Sequence, residues 1–238
     1  MRCPNCPDGT EHMVQDRKHE SFDKMIEDQL KKCLKAHAKD QKCQNCTFHH
    51  KRRYTVDYNC KNHPPYPAGS CNRCVPPTVV LNRQKHRHID YVSFMNFKEL
   101  SKFVDHWRRG GCAEQRCGYL YGYFSEDPNY PLGVRVNIEC IYDPPQISEM
   151  NGFIEMDDPT LHKVDMIANT LGLERVGTIF TKIDQETLLT AEEVKKAAQM
   201  QQMFSYPHPQ GLEVAKFVTV VVTLKDEEPD VNCYMVSD

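Results

Sequence analysis

Residues 89–142 read IDYVSFMNFKELSKFVDHWRRGGCAEQRCGYLYGYFSEDPNYPLGVRVNIECIY, and the change of period inside this stretch decides the fold class. Ile89–Phe94 is a short apolar run of strand length. From Asn96 to Arg109 the residues Phe97, Leu100, Phe103, Val104 and Trp107 recur every three or four positions. That spacing predicts one apolar helix face with Trp107 as a core anchor, and Gly110–Gly111 ends the helix. Strand-like runs return at Gly118–Phe124 and Val134–Tyr142, and Pro144–Pro145 stops the second. Tyr119, Tyr121, Tyr123 and Phe124 read as core and strand-face residues, and Gly118 and Gly122 as sites of close backbone approach. Toward the C-terminus a helix fits Thr160–Leu171, closed by Gly172, and Val176–Thr181 is a short apolar strand. Thr190–Met203 reads as a helix opened by a capping box, with Thr190 as N-cap and Glu193 three residues on. The β-branched run Val214–Leu224 reads as a central strand. Strands and helices in this order predict one three-layer α/β domain over about residues 89–238.

The chain upstream is chemically different. Of 238 residues with a net charge of −3, residues 1–90 hold eight of twelve cysteines and eight of eleven histidines. They carry 17 Lys+Arg against 10 Asp+Glu, whereas the remainder carries 13 against 23. One helix-like run stands out, Ser21 to about Ala38, with Phe22, Met25, Ile26, Leu30, Cys33 and Leu34 at helical spacing and Ser21 as a partial N-cap signal. From Cys43 to Pro77 aliphatic residues almost vanish, so no hydrophobic core can organise this stretch. Metal is the usual substitute. No run approaches about 18 consecutive apolar residues, and MRCPNCPDGT lacks the apolar core of a secretory signal. A soluble, intracellular chain is expected, in which paired cysteines act as metal ligands rather than disulfides.

The strongest motif is YNCKNHPPYPAGSCNRC, which contains Cys60-x2-His63-x7-Cys71-x2-Cys74. A two-residue spacer lets one turn present both donors to the same ion, and thiolate and imidazole suit tetrahedral zinc. Pro64, Pro65, Pro67 and Gly69 predict a tight loop between the pairs. With four protein ligands the site is closed, hence structural rather than catalytic. A second set, Cys3-x2-Cys6 and Cys43-x2-Cys46, completes a four-cysteine site only across a long gap. His12, His19, Cys33, His37 and His49 stand near as alternative ligands, and the pairing stays open. His49, His50, His86 and His88 read as solvated imidazoles. Lys51-Arg52-Arg53 and Arg83…Lys85…Arg87 would suit nucleic-acid phosphate. However, seven thiolates and two Zn²⁺ would cut the local +7 to about +4, which favours a modest solvated charge or an acidic protein partner instead.

No Ser-His-Asp elbow, P-loop or GxGxxG is evident, and Asp157–Asp158 and Glu192–Glu193 read as helix-start carboxylates. Yet PYPAGSCNRCVPPTVVLNRQKHRHIDYVSF, with GYLYGYF, PLGVRV, CIYDPPQ, LGLERVGTIFT and KFVTVVV…YMVS, closely resembles the nuclear protein localization protein 4 family over about residues 60–238. The resemblance implies a zinc-finger region at 1–88 with two zinc sites, followed at 89–238 by an MPN-like (cytidine-deaminase-like, three-layer) domain truncated at its C-terminus. Cys60, His63, Cys71 and Cys74 match the second family finger. Cys3 and Cys6 match the closing pair of the first, whose other two ligands the family supplies from upstream. Cys43 and Cys46 are the local candidates to replace them.

Active members of the wider MPN class resemble one another in a His-x-His-Pro motif and a following serine and aspartate that hold a hydrolytic zinc. Here Phe180 and Lys182 stand at the histidine positions, and Thr190 and Glu193 near the serine and aspartate. A phenyl ring cannot ligate zinc and an ammonium repels it. The loop from Thr181 to Leu188 is shorter than the family's insertion. The resemblance therefore implies a non-catalytic, ubiquitin-binding adaptor. With the ubiquitin fusion degradation 1 protein it would recruit ubiquitinated substrates to the AAA ATPase valosin-containing protein for unfolding and proteasomal degradation, including endoplasmic-reticulum-associated degradation. Its implied location is the cytoplasm and nucleus, peripheral at the endoplasmic reticulum membrane. The competing functions are an MPN-class zinc isopeptidase and a nucleic-acid-binding zinc module.

Overall fold

The computed structural model describes residues 19–36, 60–65, 68–69, 71, 86–184, 187–208, 213–225 and 228–236. Its centre is a six-stranded mixed sheet. The strands are β3 (Tyr91–Phe94), β4 (Cys117–Asp127), β5 (Gly133–Tyr142), β8 (Glu174–Thr181), β11 (Val218–Lys225) and β12 (Glu228–Tyr234), in the spatial order β12-β11-β8-β4-β5-β3. β4 runs antiparallel to both β5 and β8, while β8–β11 and β5–β3 are parallel.

Alternation along the strands sends side chains to two cores. Leu120, Val136, Ile138, Ile179, Val218, Val220 and Val222 face helix α2 (Phe97–Arg109), which contributes Leu100, Phe103, Val104 and Trp107. On the other side, Tyr119 and Tyr121 meet α3 (Leu161–Thr170), and Phe180 and Val221 meet Val194 of α4 (Ala191–Met203). Helices on both faces of one sheet give the three-layer α/β arrangement. Trp107, 2% exposed, is the anchor its spacing indicates. Phe97, on the same stripe, instead stands 67% exposed at the first helical position.

Other expectations shift as well. The run Val214–Leu224 is two strands: Glu213–Ala215 (β10) pairs with Ser205–Pro207 (β9), and only β11 joins the large sheet. The break at Lys216–Phe217 lets the buried Phe217 ring stack on Phe204, with centroids 4.6 Å apart. Between β5 and α3 the chain forms a separate hairpin, β6 (Gln146–Glu149) and β7 (Gly152–Glu155). The capping box is present: Glu193 N–H donates to Thr190 Oγ1, and Thr190 N–H to Glu193 Oε2.

Strand β4 explains its own glycines. A Cβ at Gly122 would lie 1.9 Å from Asn137 O, and one at Gly118 2.9 Å from Ile141 Cγ2. At these positions the β5 backbone and side chains fill the space a larger residue needs.

Helix α1 (Phe22–Ala36) lies against β5 and the short parallel pair β1 (Glu20–Ser21) and β2 (His86–Arg87), with Ile26 buried. Ser21 stands immediately before the helix, and its hydroxyl donates to Leu132 O across the domain (2.8 Å). His19 is bonded to the start of the α/β domain. Its Nε2 donates to Asp90 Oδ1 (2.8 Å), its ring stacks on Tyr130, and Asp90 Oδ2 accepts from Val134 N–H (2.8 Å). His86 and His88 are half-buried rather than solvated, beside Glu20 and against the Phe22 ring.

Burial first, and then the Arg87 charge, hold His19 below its ordinary value of 6.5 against the opposing pull of Asp90. Folding therefore disfavours the protonated imidazole. Its stabilising contribution is complete above the ordinary value and is lost as pH falls below it. His19→Gln, whose amide can still donate to Asp90, is expected to flatten the stability curve between about pH 7 and 5, as read by urea unfolding at each pH. Gly122→Ala is expected to destabilise the domain by about 1–3 kcal/mol. Gly152→Ala, with nothing within 4 Å of the added Cβ, should stay within about 0.5 kcal/mol in the same assay.

Candidate metal centre

The loop after Cys60 is built to fold back on itself. Ala68 N–H donates to Pro65 O (3.0 Å), closing a turn. A Cβ at Gly69 would lie 2.9 Å from Pro64 Cδ and 3.3 Å from His63 Cβ, so only glycine lets the chain pass this close over His63. The return brings Cys71 Sγ to 3.9 Å from Cys60 Sγ. Two sulfurs each about 2.3 Å from one tetrahedral zinc are separated by about 3.8 Å, so the pair already has the spacing of two corners of such a site.

His63 supplies the third donor. The ligand atoms of Cys60, His63 and Cys71 all lie within 4.8 Å of one another, and among the described residues no other His, Cys, Asp and Glu side chains form such a group. His63 Nδ1 lies 2.7 Å from Pro64 O. A carbonyl only accepts, so the proton belongs on Nδ1 and the lone pair for a metal on Nε2. Two thiolates and an imidazole nitrogen fit zinc's preference. Cys74, the fourth ligand of the motif, lies outside the described residues. So do Cys3, Cys6, Cys43 and Cys46, and the alternatives His12, His37 and His49.

A second locus lies where the resemblance maps the hydrolytic site of the MPN class. The end of β8 is fixed by Thr181 N–H donating to Arg116 O (2.9 Å) and Lys182 N–H to Val222 O (2.8 Å). This buries Phe180 (4% exposed) and Lys182 (1%). Lys182 Nζ donates to Thr187 O (2.8 Å) and Thr187 Oγ1 (2.9 Å), and lies 3.4 Å from Glu193 Oε2. Glu193 also accepts from Thr190 N–H (2.7 Å) and Gln115 Nε2 (3.4 Å). The four positions the sequence singled out, Phe180, Lys182, Thr190 and Glu193, therefore do converge, as a phenyl ring beside an internal ion pair. Gln115 and Thr187, which complete it, carry no sequence signal of their own, since each depends on a contact made only after folding.

One further cluster was not legible in advance. Arg175 is paired with Asp165 through Nη2 (2.6 and 2.9 Å) and lies over the Tyr119 ring at 4.6 Å. Tyr121 also donates to Asp165 (2.6 Å), tying α3 to the sheet. Burial first, and then the bond to Glu155, raises the Tyr119 phenol far above its ordinary value. Cys117, buried beside Phe180, is pushed up to about 12 by the same desolvation, which makes it a packing residue rather than a nucleophile.

Comparison with known proteins places both loci in one family. A family model described as the zinc-binding region of the NPL4 family matches residues 7–111, and another described as the NPL4 family matches residues 116–238. The chain is 38% identical over 188 residues to the Nuclear protein localization protein 4 homolog of Homo sapiens, covering 71% of this chain and 30% of that protein. It is 37% identical over 207 residues to Nuclear protein localization protein 4 of Schizosaccharomyces pombe, covering 78% and 36%. The chain spans about a third of the length of the curated relatives it matches.

Removing the ammonium would strand a carboxylate in the interior. Lys182→Met is expected to destabilise the α/β domain by about 3–5 kcal/mol, and adding Glu193→Gln should recover most of the loss. Denaturant unfolding of the single and double variants measures both.

Proposed function

This chain belongs to the NPL4 family, and on that premise we propose that it is a non-catalytic adaptor whose zinc-bearing segment and α/β domain bind rather than cut. The observation that carries the reading is the Lys182–Glu193 pair. Where active MPN-class enzymes need two imidazole ligands, this chain has Phe180 packed against Phe153 and an ammonium satisfied by Thr187 and Glu193. An isopeptidase reading would need donors at those positions, and neither side chain is one. The MPN-like reading of residues 89–238 is supported by the three-layer arrangement, in which one mixed sheet carries helix α2 on one face and α3 and α4 on the other.

In this reading Cys60, His63 and Cys71, together with Cys74, hold a structural zinc. Bound zinc supplies no reaction; it fixes a loop that has no apolar core of its own, and such sites contribute about 10–16 kcal/mol in model fingers. Cys3, Cys6, Cys43 and Cys46 hold the second. The stiffened loops dock on the AAA ATPase valosin-containing protein. The α/β domain meets the ubiquitin fusion degradation 1 protein and ubiquitin, and ubiquitinated substrates are passed on for unfolding and proteasomal degradation. The proposed location is the cytoplasm and nucleus and the surface of the endoplasmic reticulum membrane. Among the described residues no helix is long and apolar enough to cross a membrane.

Two measurements test this. Cys71→Ser is expected to lose one zinc by elemental analysis and to lose ATPase binding, while the α/β domain unfolds at an unchanged denaturant midpoint. Incubated with ubiquitin chains, the purified protein is expected to bind them and leave them intact. Cleavage that a chelator abolishes would overturn the adaptor reading in favour of an isopeptidase.

A further inference from the structure

The chain turns sharply as it leaves helix α2. Gly111 (φ +71°) and Cys112 (φ +55°) are two consecutive left-handed residues, and Cys112 N–H donates back to Trp107 O (3.1 Å). The return is then pinned twice. Gln115 N–H donates to Glu149 O of the β6–β7 hairpin (2.7 Å), and Arg116 N–H donates to Thr181 Oγ1 (2.9 Å). Between these fixed points lies a cleft of about 370 Å³, near the lower end of the range for ligand pockets. Its walls are His106, Trp107 and Arg109 from the last turn of α2, Glu114 and Arg116 from the return, and Ser148 from β6.

The cleft is short of acceptors. Cations in the last turn of a helix are ordinary, because they meet its carbonyl end, and that alone would account for His106 and Arg109. It does not account for Arg116, which reaches the same cleft from beyond the turn. Arg116 Nη2 bonds Asp143, but its buried Nε has no acceptor, and neither has the buried Nε1 of Trp107. Buried donors nearly always have partners, and here two without one belong to the walls of a single cleft. At the mouth, Arg109 and Glu114 are exposed, and neither has an ion-pair partner among the described residues. These cationic walls stand in a half of the chain whose carboxylates outnumber its cations.

A carboxylate meets these conditions, since it brings one charge and two acceptor oxygens that a guanidinium matches with paired N–H bonds. Glu114 and the carbonyl end of α2 both oppose a group of higher charge such as phosphate. The mouth, bordered by the exposed His106, Arg109 and Glu114, is open to solvent, so the acid can be presented by a longer chain. We propose that this cleft binds the carboxylate side chain of an acidic segment in a partner protein. Arg109 and Arg116 are its charged donors, with the Ser148 hydroxyl and the His106 imidazole in support. Neither the zinc segment nor the adaptor reading enters this assignment.

Trp107 is the chain's single tryptophan, so its emission reports on the cleft. The full chain is titrated with a capped six-residue peptide of alternating Glu and Gly, with the same peptide carrying Gln for Glu, and with inorganic phosphate. Anisotropy of the labelled peptides gives a second readout. The Glu peptide is expected to change Trp107 emission saturably and to bind about tenfold more tightly than the Gln peptide or phosphate. Arg109→Gln, at an exposed site, keeps the fold and should weaken binding about tenfold. Glu114→Gln removes the opposing charge and should tighten it. Lys98→Gln, at an exposed cation on the far end of α2, should leave it unchanged. Equal binding of the Gln peptide or of phosphate would overturn the proposal, as would no binding by either readout. Equal weakening by Lys98→Gln and Arg109→Gln would also overturn it, in favour of a diffuse basic helix face.

Discussion

The interaction on which the rest of the α/β domain turns is the buried contact between Lys182 and Glu193. It joins the end of β8 to the first turn of α4, and through Gln115 and Thr187 it also holds the approach to β4 and the loop between. Charges are taken out of water only when each is paired and its remaining donors or acceptors are met. Here the ammonium has three acceptors and the carboxylate accepts from the helix's own N-cap N–H. A capping residue is thus also a counter-ion, and the junction between β8 and α4 is held by a cation attached to the chain.

The N-terminal segment follows the opposite rule. Between Cys43 and Pro77 it has too little aliphatic surface to fold by burial, and its described part brings three metal-type donors together instead. Gly69 lets the loop double back over His63, and two sulfurs arrive at the separation of neighbouring zinc ligands. The two halves of the chain thus differ in what they offer for organisation, a cluster of thiol and imidazole donors on one side and a doubly covered sheet on the other. His19, Ser21 and Phe22 connect them by contacts to Asp90, Leu132 and His88.

Much of this was legible in the sequence wherever the cause is local. The α2 stripe, the Thr190–Glu193 box, the close approaches at Gly118 and Gly122 and the Cys60–His63–Cys71 spacing are short-range patterns, and the structure has each of them. What was not legible depends on distant partners. His19 reads as a spare ligand, but Asp90 claims it, and the Ser21 hydroxyl reaches across the domain to Leu132. Phe97 fits the apolar period yet is left in solvent, and Val214–Leu224 is interrupted so that Phe217 can reach Phe204. The β6–β7 hairpin turns through Met150–Asn151, one residue before an Asn-Gly turn would place it, and the preceding Pro144–Pro145 reads as the end of strand structure.

The central claim is that metal organises the cysteine-rich segment and has no place in the α/β domain. Zinc X-ray absorption on the intact chain addresses it directly. Predominantly sulfur ligation at about 2.3 Å with a minor nitrogen contribution, and no metal population bound by oxygen and nitrogen alone, is the predicted spectrum. A distinct zinc population ligated only by oxygen and nitrogen, retained when Cys60, His63 and Cys71 are replaced together, would contradict it.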